Sequence, residues 1–267
     1  MLKFISFGSG SSGNCYYLFT ETDGLIIDIG VGIRTLKKQF KDFGLSLSSI
    51  HYVLITHDHA DHIKSVGSIS HELHLPIYAT AKVHAGIDHN YCVARKLPVD
   101  MKRLIVPGES IQLGCFHITP FHVPHDATEN VGYLIEVDGV SFCIITDIGS
   151  VDGEIREYIS RADYLVIEAN HDVEMLTQGP YPIYLKERIL SKTGHLSNHE
   201  CGVAIAENMK ENIKHVWLCH LSEENNHPEL ARKTVESVLR EYGIIAGKDF
   251  ELDVLKRKTP SGIYELV

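Results

Sequence analysis

The segment from Leu54 to His62 constrains this chain more than any other. It reads Leu-Ile-Thr-His-Asp-His-Ala-Asp-His, so five side chains that can bind a metal ion fall within six residues. The apolar run before it, Tyr52 to Ile55, is typical of a buried strand. In an extended chain, side chains two residues apart point the same way, so His57 and His59 can hold one ion together. Imidazole and carboxylate groups suit zinc, manganese or iron.

A helix is predicted directly after this cluster, because apolar residues recur at helical spacing from Ile63 to Leu73. Asp61 and His62 then lie where the chain turns into the helix, and from there they can reach a second metal position beside the first. A solvated polar loop is the alternative interpretation. Three histidines and two aspartates in six residues after a buried strand argue against that alternative.

The arrangement His-x-His-x-Asp-His resembles the signature of the metallo-β-lactamase superfamily. The resemblance implies an α/β fold, a four-layer αββα sandwich of two mixed sheets with helices on both outer faces. It also implies a hydrolytic site with one or two metal ions at one edge. We expect residues 1–267 to form a single domain of this kind, since no linker, low-complexity tract or strong repeat divides the sequence.

The resemblance implies further metal ligands in a set order along the chain. His125 matches the next histidine ligand, and His122, three residues earlier, is the alternative. Asp147 ends a predicted hairpin and matches the aspartate that bridges the two ions. The full set of metal ligands that the resemblance implies is His57, His59, Asp61, His62, His125, Asp147 and His220.

Other residues are implied in supporting or catalytic roles. Asp28 ends a predicted strand, and in the family an aspartate here supports the metal-binding loop through hydrogen bonds. Glu168 and His195 lie in segments that resemble the tail of tRNase Z. His195 would protonate the leaving oxygen while Glu168 orients the imidazole. Asp61, Glu168 and His195 are therefore the candidate catalytic residues.

The segment Gly8–Asn14 reads Gly-Ser-Gly-Ser-Ser-Gly-Asn between two predicted strands. One interpretation is a hairpin loop, in which glycine supplies positive φ. The other is an anion-binding loop of backbone N–H groups, with Ser11, Ser12 and Asn14 as candidate substrate or supporting residues. The segment is not a P-loop, because Gly-Lys-Ser/Thr is absent and the next predicted element is a strand.

Four motifs together are similar to those of the YycJ/WalJ branch of the superfamily. They are Gly-Ser-Gly-Ser-Ser-Gly-Asn-Cys, Pro-x-x-x-x-His-Asp-Ala, Gly-His-Leu-Ser-Asn and His-Leu-Ser-x-x-Asn-Asn. Members of that branch are single-domain bacterial proteins with proposed 5′-to-3′ DNA exonuclease activity. The resemblance implies a nucleic-acid substrate, with DNA favoured over RNA. It also implies two divalent ions, zinc or manganese with iron possible, that activate a water for phosphodiester hydrolysis.

Two other functions remain open. The same metals would also suit hydrolysis of a small thioester, lactone or lactam, although the His195 segment and the Gly/Ser loop suit phosphate chemistry better. A non-catalytic protein could keep the fold, but the complete ligand set argues against it. The net charge of −10 argues mildly against a passive nucleic-acid coat protein. That argument is weak for a metalloenzyme, because bound ions make the local field positive.

Composition restricts the setting of the protein. A hydrophobic content of 44% and a charged content of 22% are typical of globular proteins. No apolar stretch approaches the ~18 residues that a membrane span needs, and the first residues do not resemble a secretory signal. The six cysteines show no Cys-x-x-Cys spacing and favour a reducing compartment. We therefore expect a cytoplasmic protein with no membrane partner.

Overall fold

The computed structural model describes all residues from 1 to 267. Internal contacts divide the chain into two compact units. Unit 1 consists of Met1–Pro120, Ala127–Val131 and Lys256–Val267, and unit 2 consists of Phe121–Asp126 and Gly132–Leu255. The prediction of a single domain stays a prediction. No helix combines the length and the apolar character that a membrane-spanning segment requires.

The first sheet has seven strands and is mixed. Its strands are β1 Leu2–Gly8, β2 Cys15–Phe19, β3 Gly24–Ile27, β4 Tyr52–Leu54, β5 Ile77–Ala79, β6 Lys102–Leu104 and β14 Tyr264–Leu266. They lie in the order β14-β1-β2-β3-β4-β5-β6. The neighbours from β14 to β3 pair antiparallel, and those from β3 to β6 pair parallel. The Gly/Ser segment joins the antiparallel strands β1 and β2, so it is a hairpin loop.

The second sheet also has seven strands. They are β7 Ile111–Leu113, β8 Phe116–His122, β9 Val131–Val137, β10 Val140–Ile145, β11 Tyr164–Glu168, β12 His215–Cys219 and β13 Glu251–Val254. Their order is β13-β12-β11-β10-β9-β8-β7. Strands β10 to β13 run parallel, so the carboxyl ends of β10, β11 and β12 meet at one edge. Every residue of β11 is buried, as expected for a central parallel strand.

Nine helices accompany the strands. They are α1 Ile33–Asp42, α2 Ala60–Ile63, α3 Val66–Leu73, α4 Ala81–His89, α5 Gly153–Arg161, α6 Val173–Gln178, α7 Ile183–Ile189, α8 Asn198–Asn208 and α9 Pro228–Glu241. Each unit has its own apolar core. Helix α8 begins with a capping box, in which Ser197 and Glu200 satisfy each other's backbone N–H groups.

Three features of the chain differ from the sequence-based expectations. The strand predicted to end at Asp28 stops one residue earlier, at Ile27, because Asp28 has a left-handed φ of 60°. The single helix predicted after the histidine cluster is two helices, α2 and α3. They separate where the backbone N–H of Ser65 donates to the carbonyl of Ile29 at 2.9 Å. Strand β14 and helices α5 to α7 were not predicted.

Candidate metal centre

In unit 1, the histidine cluster occupies the short loop between β4 and helix α2. His57 and His62 are fully buried, whereas His59 and Asp61 are partly exposed. The ring centroid of His57 lies 4.7 Å from that of His59 and 4.0 Å from that of His62. The structure therefore brings the three imidazoles together, as the spacing of the sequence predicts.

Asp28 is the anchor of this cluster. Its side chain is fully buried and accepts hydrogen bonds from the backbone N–H and the hydroxyl of Thr56, both at 2.8 Å. The same carboxylate lies 2.7 Å from Nδ1 of His62. An ionised carboxylate can only accept hydrogen bonds, so His62 carries its proton on Nδ1. Its Nε2 points away from Asp28. The Thr56 hydroxyl in turn lies 2.9 Å from Nδ1 of His57.

Asn14 connects the Gly/Ser loop to the same cluster. Its side-chain nitrogen lies 2.9 Å from Nε2 of His62 and 3.2 Å from a carboxylate oxygen of Asp61. Its side-chain oxygen accepts from the backbone N–H of Gly10 at 2.8 Å. Asn14 is fully buried, whereas Ser11 and Ser12 are exposed. Asn14 therefore supports the cluster from within, and the two serines remain accessible.

Asp58 lies inside the motif but does not join the cluster. Its carboxylate accepts a hydrogen bond from the hydroxyl of Thr128 and another, at 3.2 Å, from the backbone N–H of the same residue. Its carbonyl accepts from Asn90 at 2.9 Å. The extended backbone of the motif explains the difference, because neighbouring side chains point to opposite sides.

In unit 2, three candidate residues follow the carboxyl ends of parallel strands. Asp147 comes after β10, Glu168 ends β11 and His220 follows β12. All three are buried. A carboxylate oxygen of Asp147 lies 3.4 Å from Nδ1 of His220. One ligand atom from each of Asp147, Glu168, His195 and His220 falls within 4.8 Å of the others, a separation that a metal-binding group allows.

Glu168 organises this second cluster. One of its carboxylate oxygens accepts hydrogen bonds at 2.8 Å from Nδ1 of both His195 and His220. The other accepts from the backbone N–H groups of Ile148, at 2.9 Å, and Leu196, at 3.4 Å. Sequence reasoning placed Glu168 beside His195 only. The structure adds His220, so Glu168 orients two imidazoles.

Charge and burial act against each other in this pair. Burial raises the pKa of Glu168, but the charge and hydrogen bond of His195 outweigh it, so the pKa is lowered. Burial lowers the pKa of His195, but the charge and hydrogen bond of Glu168 outweigh it, so the pKa is raised. Glu168 is therefore a carboxylate that favours the protonated form of His195.

The structure distinguishes the two candidates His122 and His125. His122 ends β8 with its side chain exposed, whereas His125 is buried. Nδ1 of His125 donates to the carbonyl of Gly194 at 3.0 Å, and Nε2 lies 3.7 Å from Asp147. The neighbouring Asp126 is held by an ion pair with Arg188. His125 is therefore the histidine that joins the cluster of unit 2.

Three of the candidate residues have left-handed backbone conformations. Asp28, Asp147 and His220 have φ values of 60°, 52° and 52°. Each lies within two residues of the end of a strand, and a non-glycine residue at positive φ is uncommon. Such strain is typical of functional sites, where the surrounding structure holds a side chain in a required direction.

The donor atoms of the two clusters fit metal binding. In four buried histidines, Nδ1 faces an oxygen of the protein: Thr56 for His57, Asp28 for His62, Gly194 for His125 and Glu168 for His220. Metal-ligating histidines in proteins usually donate one ring N–H in this way and coordinate through the other nitrogen. Nε2 is therefore the atom that these residues would offer to a divalent ion, although on His62 the side-chain amide of Asn14 lies 2.9 Å from it.

Comparison with known proteins gives the family. The model of the β-lactamase superfamily domain matches residues 25–221. The metallo-β-lactamase fold protein YhfI of Bacillus subtilis superposes with a TM-score of 0.72 at 18% identity and covers 98% of both chains. The chain therefore belongs to the metallo-β-lactamase superfamily, and the predicted fold of two mixed sheets with helices is confirmed.

Two relatives narrow the branch. The chain is 36% identical over 262 residues to exodeoxyribonuclease YycJ of Bacillus anthracis, which covers 98% of both chains. It is 34% identical over 250 residues to exodeoxyribonuclease WalJ of Streptococcus pneumoniae serotype 2, covering 94% of this chain and 93% of that protein. The resemblance to the YycJ/WalJ branch that the motifs indicate is thus confirmed.

His125→Ala should lower the metal content of the purified protein by close to one ion per chain if His125 is a ligand, because the variant lacks its buried imidazole. His122→Ala should leave the metal content unchanged, because this side chain is exposed at the end of β8. Elemental analysis of both variants, prepared identically, checks the pair. Equal losses from the two variants, or a larger loss from His122→Ala, would contradict the assignment.

Proposed function

We propose that this protein is a metal-dependent phosphodiesterase, a 5′-to-3′ exonuclease that acts on DNA. The two relatives named exodeoxyribonuclease support the substrate class. The observation that carries the chemistry is the pair of His195 and Glu168, 2.8 Å apart beside Asp147 and His220. A histidine held in this way suits protonation of an oxygen leaving group.

Two divalent ions are the proposed cofactors, with zinc or manganese favoured and iron possible. The proposed ligands of one ion are His57, His59 and His125, those of the other are Asp61, His62 and His220, and Asp147 is proposed to bind both. When bound, the ions would supply Lewis-acid chemistry by lowering the pKa of a water molecule and stabilising negative charge on the phosphate.

The residues of the chain have separate tasks in this proposal. His195 is bonded through Nδ1, and its side chain is 17% exposed. Its other ring nitrogen, Nε2, would carry the proton to the leaving 3′ oxygen. Glu168 keeps the imidazole oriented and favours its protonated form. Asp28 and Asn14 would keep His62 and Asp61 in place, since they contact these two side chains.

A degradation assay tests the proposal. Single- and double-stranded DNA and RNA of one sequence, labelled at the 3′ end and phosphorylated at the 5′ end, are incubated with zinc or manganese. We expect labelled products that shorten progressively from the 5′ end, DNA cleaved faster than RNA, and close to two ions per chain by elemental analysis. Protein treated with a chelator is the control and should be inactive.

Hydrolysis of small substrates tests the alternative function. A panel of β-lactams, thioesters and lactones should be hydrolysed slowly or not at all. Rapid turnover of one of them, without detectable cleavage of nucleic acid, would contradict the proposal. It would instead identify the protein as a small-substrate hydrolase of the same superfamily.

A further inference from the structure

A cavity of about 280 Å³ lies within unit 1 beside the Gly/Ser loop. Four parts of the chain form its wall: the end of β1 with the loop that follows, the residues that begin α1, Lys64 directly after α2, and the basic segment near the C-terminus. We call it the loop cavity. It is smaller than most pockets for whole small-molecule ligands, which measure ~300–1,000 Å³. A compact group fits it better.

The charged residues that line the loop cavity are all basic. Ten residues line the loop cavity, and none of them is acidic. Three are basic, namely Lys64, Arg257 and Lys258. The whole chain carries a net charge of −10, so a wall with three cations and no carboxylate departs from the average of the sequence. Such a wall favours an anion.

The start of helix α1 adds to this preference. Gly32 is the N-cap of this ten-residue helix, no side chain caps it, and the first turn contains no acidic residue. The first N–H groups of a helix lack partners inside the helix and carry partial positive charge. Gly32 and Thr35 both line the cavity. A side chain at position 32 would meet only the hydroxyl of Thr35, at 4.0 Å, so the space above the helix end is open.

The basic segment is fixed in place by backbone contacts. The N–H of Ser9 donates to the carbonyl of Arg257 at 3.3 Å. Further along, the N–H of Ser6 donates to the hydroxyl of Ser261 at 3.0 Å, and the N–H of Ser261 donates to the carbonyl of Ser6 at 2.9 Å. These bonds attach the segment to β1. Arg257 and Lys258 therefore have a defined position beside the Gly/Ser loop.

The loop cavity adjoins the metal-binding cluster of unit 1. Gly13 lines the cavity, and the next residue, Asn14, contacts Asp61 and His62. Lys64 follows His62 by two residues. The cavity is therefore placed where a strand of nucleic acid that reaches this cluster through one phosphate could present a neighbouring phosphate.

We propose that the loop cavity binds a phosphate group of the nucleic-acid substrate other than the one that is hydrolysed. This inference rests on the proposed nuclease function. Lys64, Arg257 and Lys258 would contact the phosphate oxygens, and the hydroxyls of Ser12 and Thr35 and the N–H groups at the start of α1 would donate hydrogen bonds. Contacts of this kind position a nucleic-acid strand without reading its sequence.

Binding measurements with the metal-loaded protein test the proposal. The ligand is a 3′-fluorescent single-stranded DNA oligonucleotide with phosphorothioate linkages, which resist cleavage, and fluorescence anisotropy gives Kd at several salt concentrations. In Lys64→Gln/Lys258→Gln we expect Kd to rise about tenfold or more. The slope of log Kd against log salt should fall by ~0.7 for each phosphate that the variant no longer neutralises.

A matched control removes the same charge elsewhere in unit 1. Lys38 and Lys41 are exposed on α1 and do not line the loop cavity. The variant Lys38→Gln/Lys41→Gln should bind like the unmodified protein. A second pair uses Thr35, which is exposed in the first turn of α1. Thr35→Glu should weaken binding through charge repulsion, whereas Thr35→Gln should weaken it much less. Both residue types are compatible with a helix.

Oligonucleotides with a 5′ phosphate and with a 5′ hydroxyl show which phosphate the cavity binds. If the weaker binding of the lysine variant is confined to oligonucleotides with a 5′ phosphate, the cavity holds the terminal group. If oligonucleotides with a 5′ hydroxyl are affected as much, it holds a backbone phosphate. Either result supports the proposal. The same Kd and salt slope in Lys64→Gln/Lys258→Gln and in the control variant would overturn it, as would failure of the unmodified protein to bind.

The result is separable from the test of the proposed function. In one outcome, the unmodified protein cleaves DNA while its lysine variant binds like the control. That outcome would contradict the phosphate site in the loop cavity and support the nuclease function. Weaker binding by the lysine variant of a protein that cleaves nothing would support the phosphate site and contradict the nuclease. Thermal unfolding of each variant shows whether the fold is retained.

Discussion

Asp147→Asn should lower the rate of nucleic-acid hydrolysis by at least ~10³-fold and reduce the metal content of the protein. The carboxylate is buried and lies within 4 Å of ring nitrogens of His125, His195 and His220. Asparagine has nearly the same shape and tolerates the left-handed φ of 52°. The substitution therefore removes mainly the charge, and stabilisation by a metal ion is worth several kcal/mol in the transition state.

Asp138 offers a matched control for this prediction. It has a similar left-handed φ of 50° in the turn between β9 and β10, but its side chain is exposed. Asp138→Asn should keep both the activity and the metal content. Elemental analysis and the rate of DNA degradation, measured on both variants, decide the matter. Full metal content with full activity in Asp147→Asn would show that Asp147 is not a ligand.

His195→Ala should lose activity on DNA by about 10²–10⁴-fold, the usual contribution of a general acid. It should keep its metal ions, because the proposed ligand set is complete without His195. The loss should shrink to a few-fold on a nitrophenyl phosphodiester, since nitrophenolate leaves without a proton. The comparison of the two substrates therefore isolates proton transfer from binding.

His199 provides the control, because it lies four residues further along, at the start of α8, with an exposed side chain. His199→Ala should behave like the unmodified protein on both substrates. Rates at saturating substrate and elemental analysis complete the test. Loss of metal from His195→Ala would make this residue a ligand. Unchanged activity on DNA would leave it as a loop histidine near the cap of α8.

The sequence determined the family and the types of residue that form the candidate centre, because these signals are local. The spacing of His57 and His59 after a buried strand is enough to place two imidazoles on one side of the chain. The order of the remaining ligands came from a resemblance to known proteins, and their roles stay predictions.

Burial and direction of side chains were decided only by the tertiary structure. His122 and His125 are three residues apart and both precede β9, yet only His125 is buried against Gly194. Asp58 has the same chemistry as Asp61, but it turns to Thr128. The sequence contains both members of each pair. Contact with Gly194 distinguishes His125 from His122, and the alternation of the extended backbone turns Asp58 toward Thr128.

Long-range pairing explains what the sequence alone did not indicate. Strand β14 is three residues long and gains its partner only from β1, at the other end of the chain. Ser6 and Ser261 are 255 residues apart and exchange hydrogen bonds. That pairing carries Arg257 and Lys258 to the Gly/Ser loop. The local sequence pattern does not indicate such a long-range contact. The basic residues therefore come together at the loop cavity only in the folded chain.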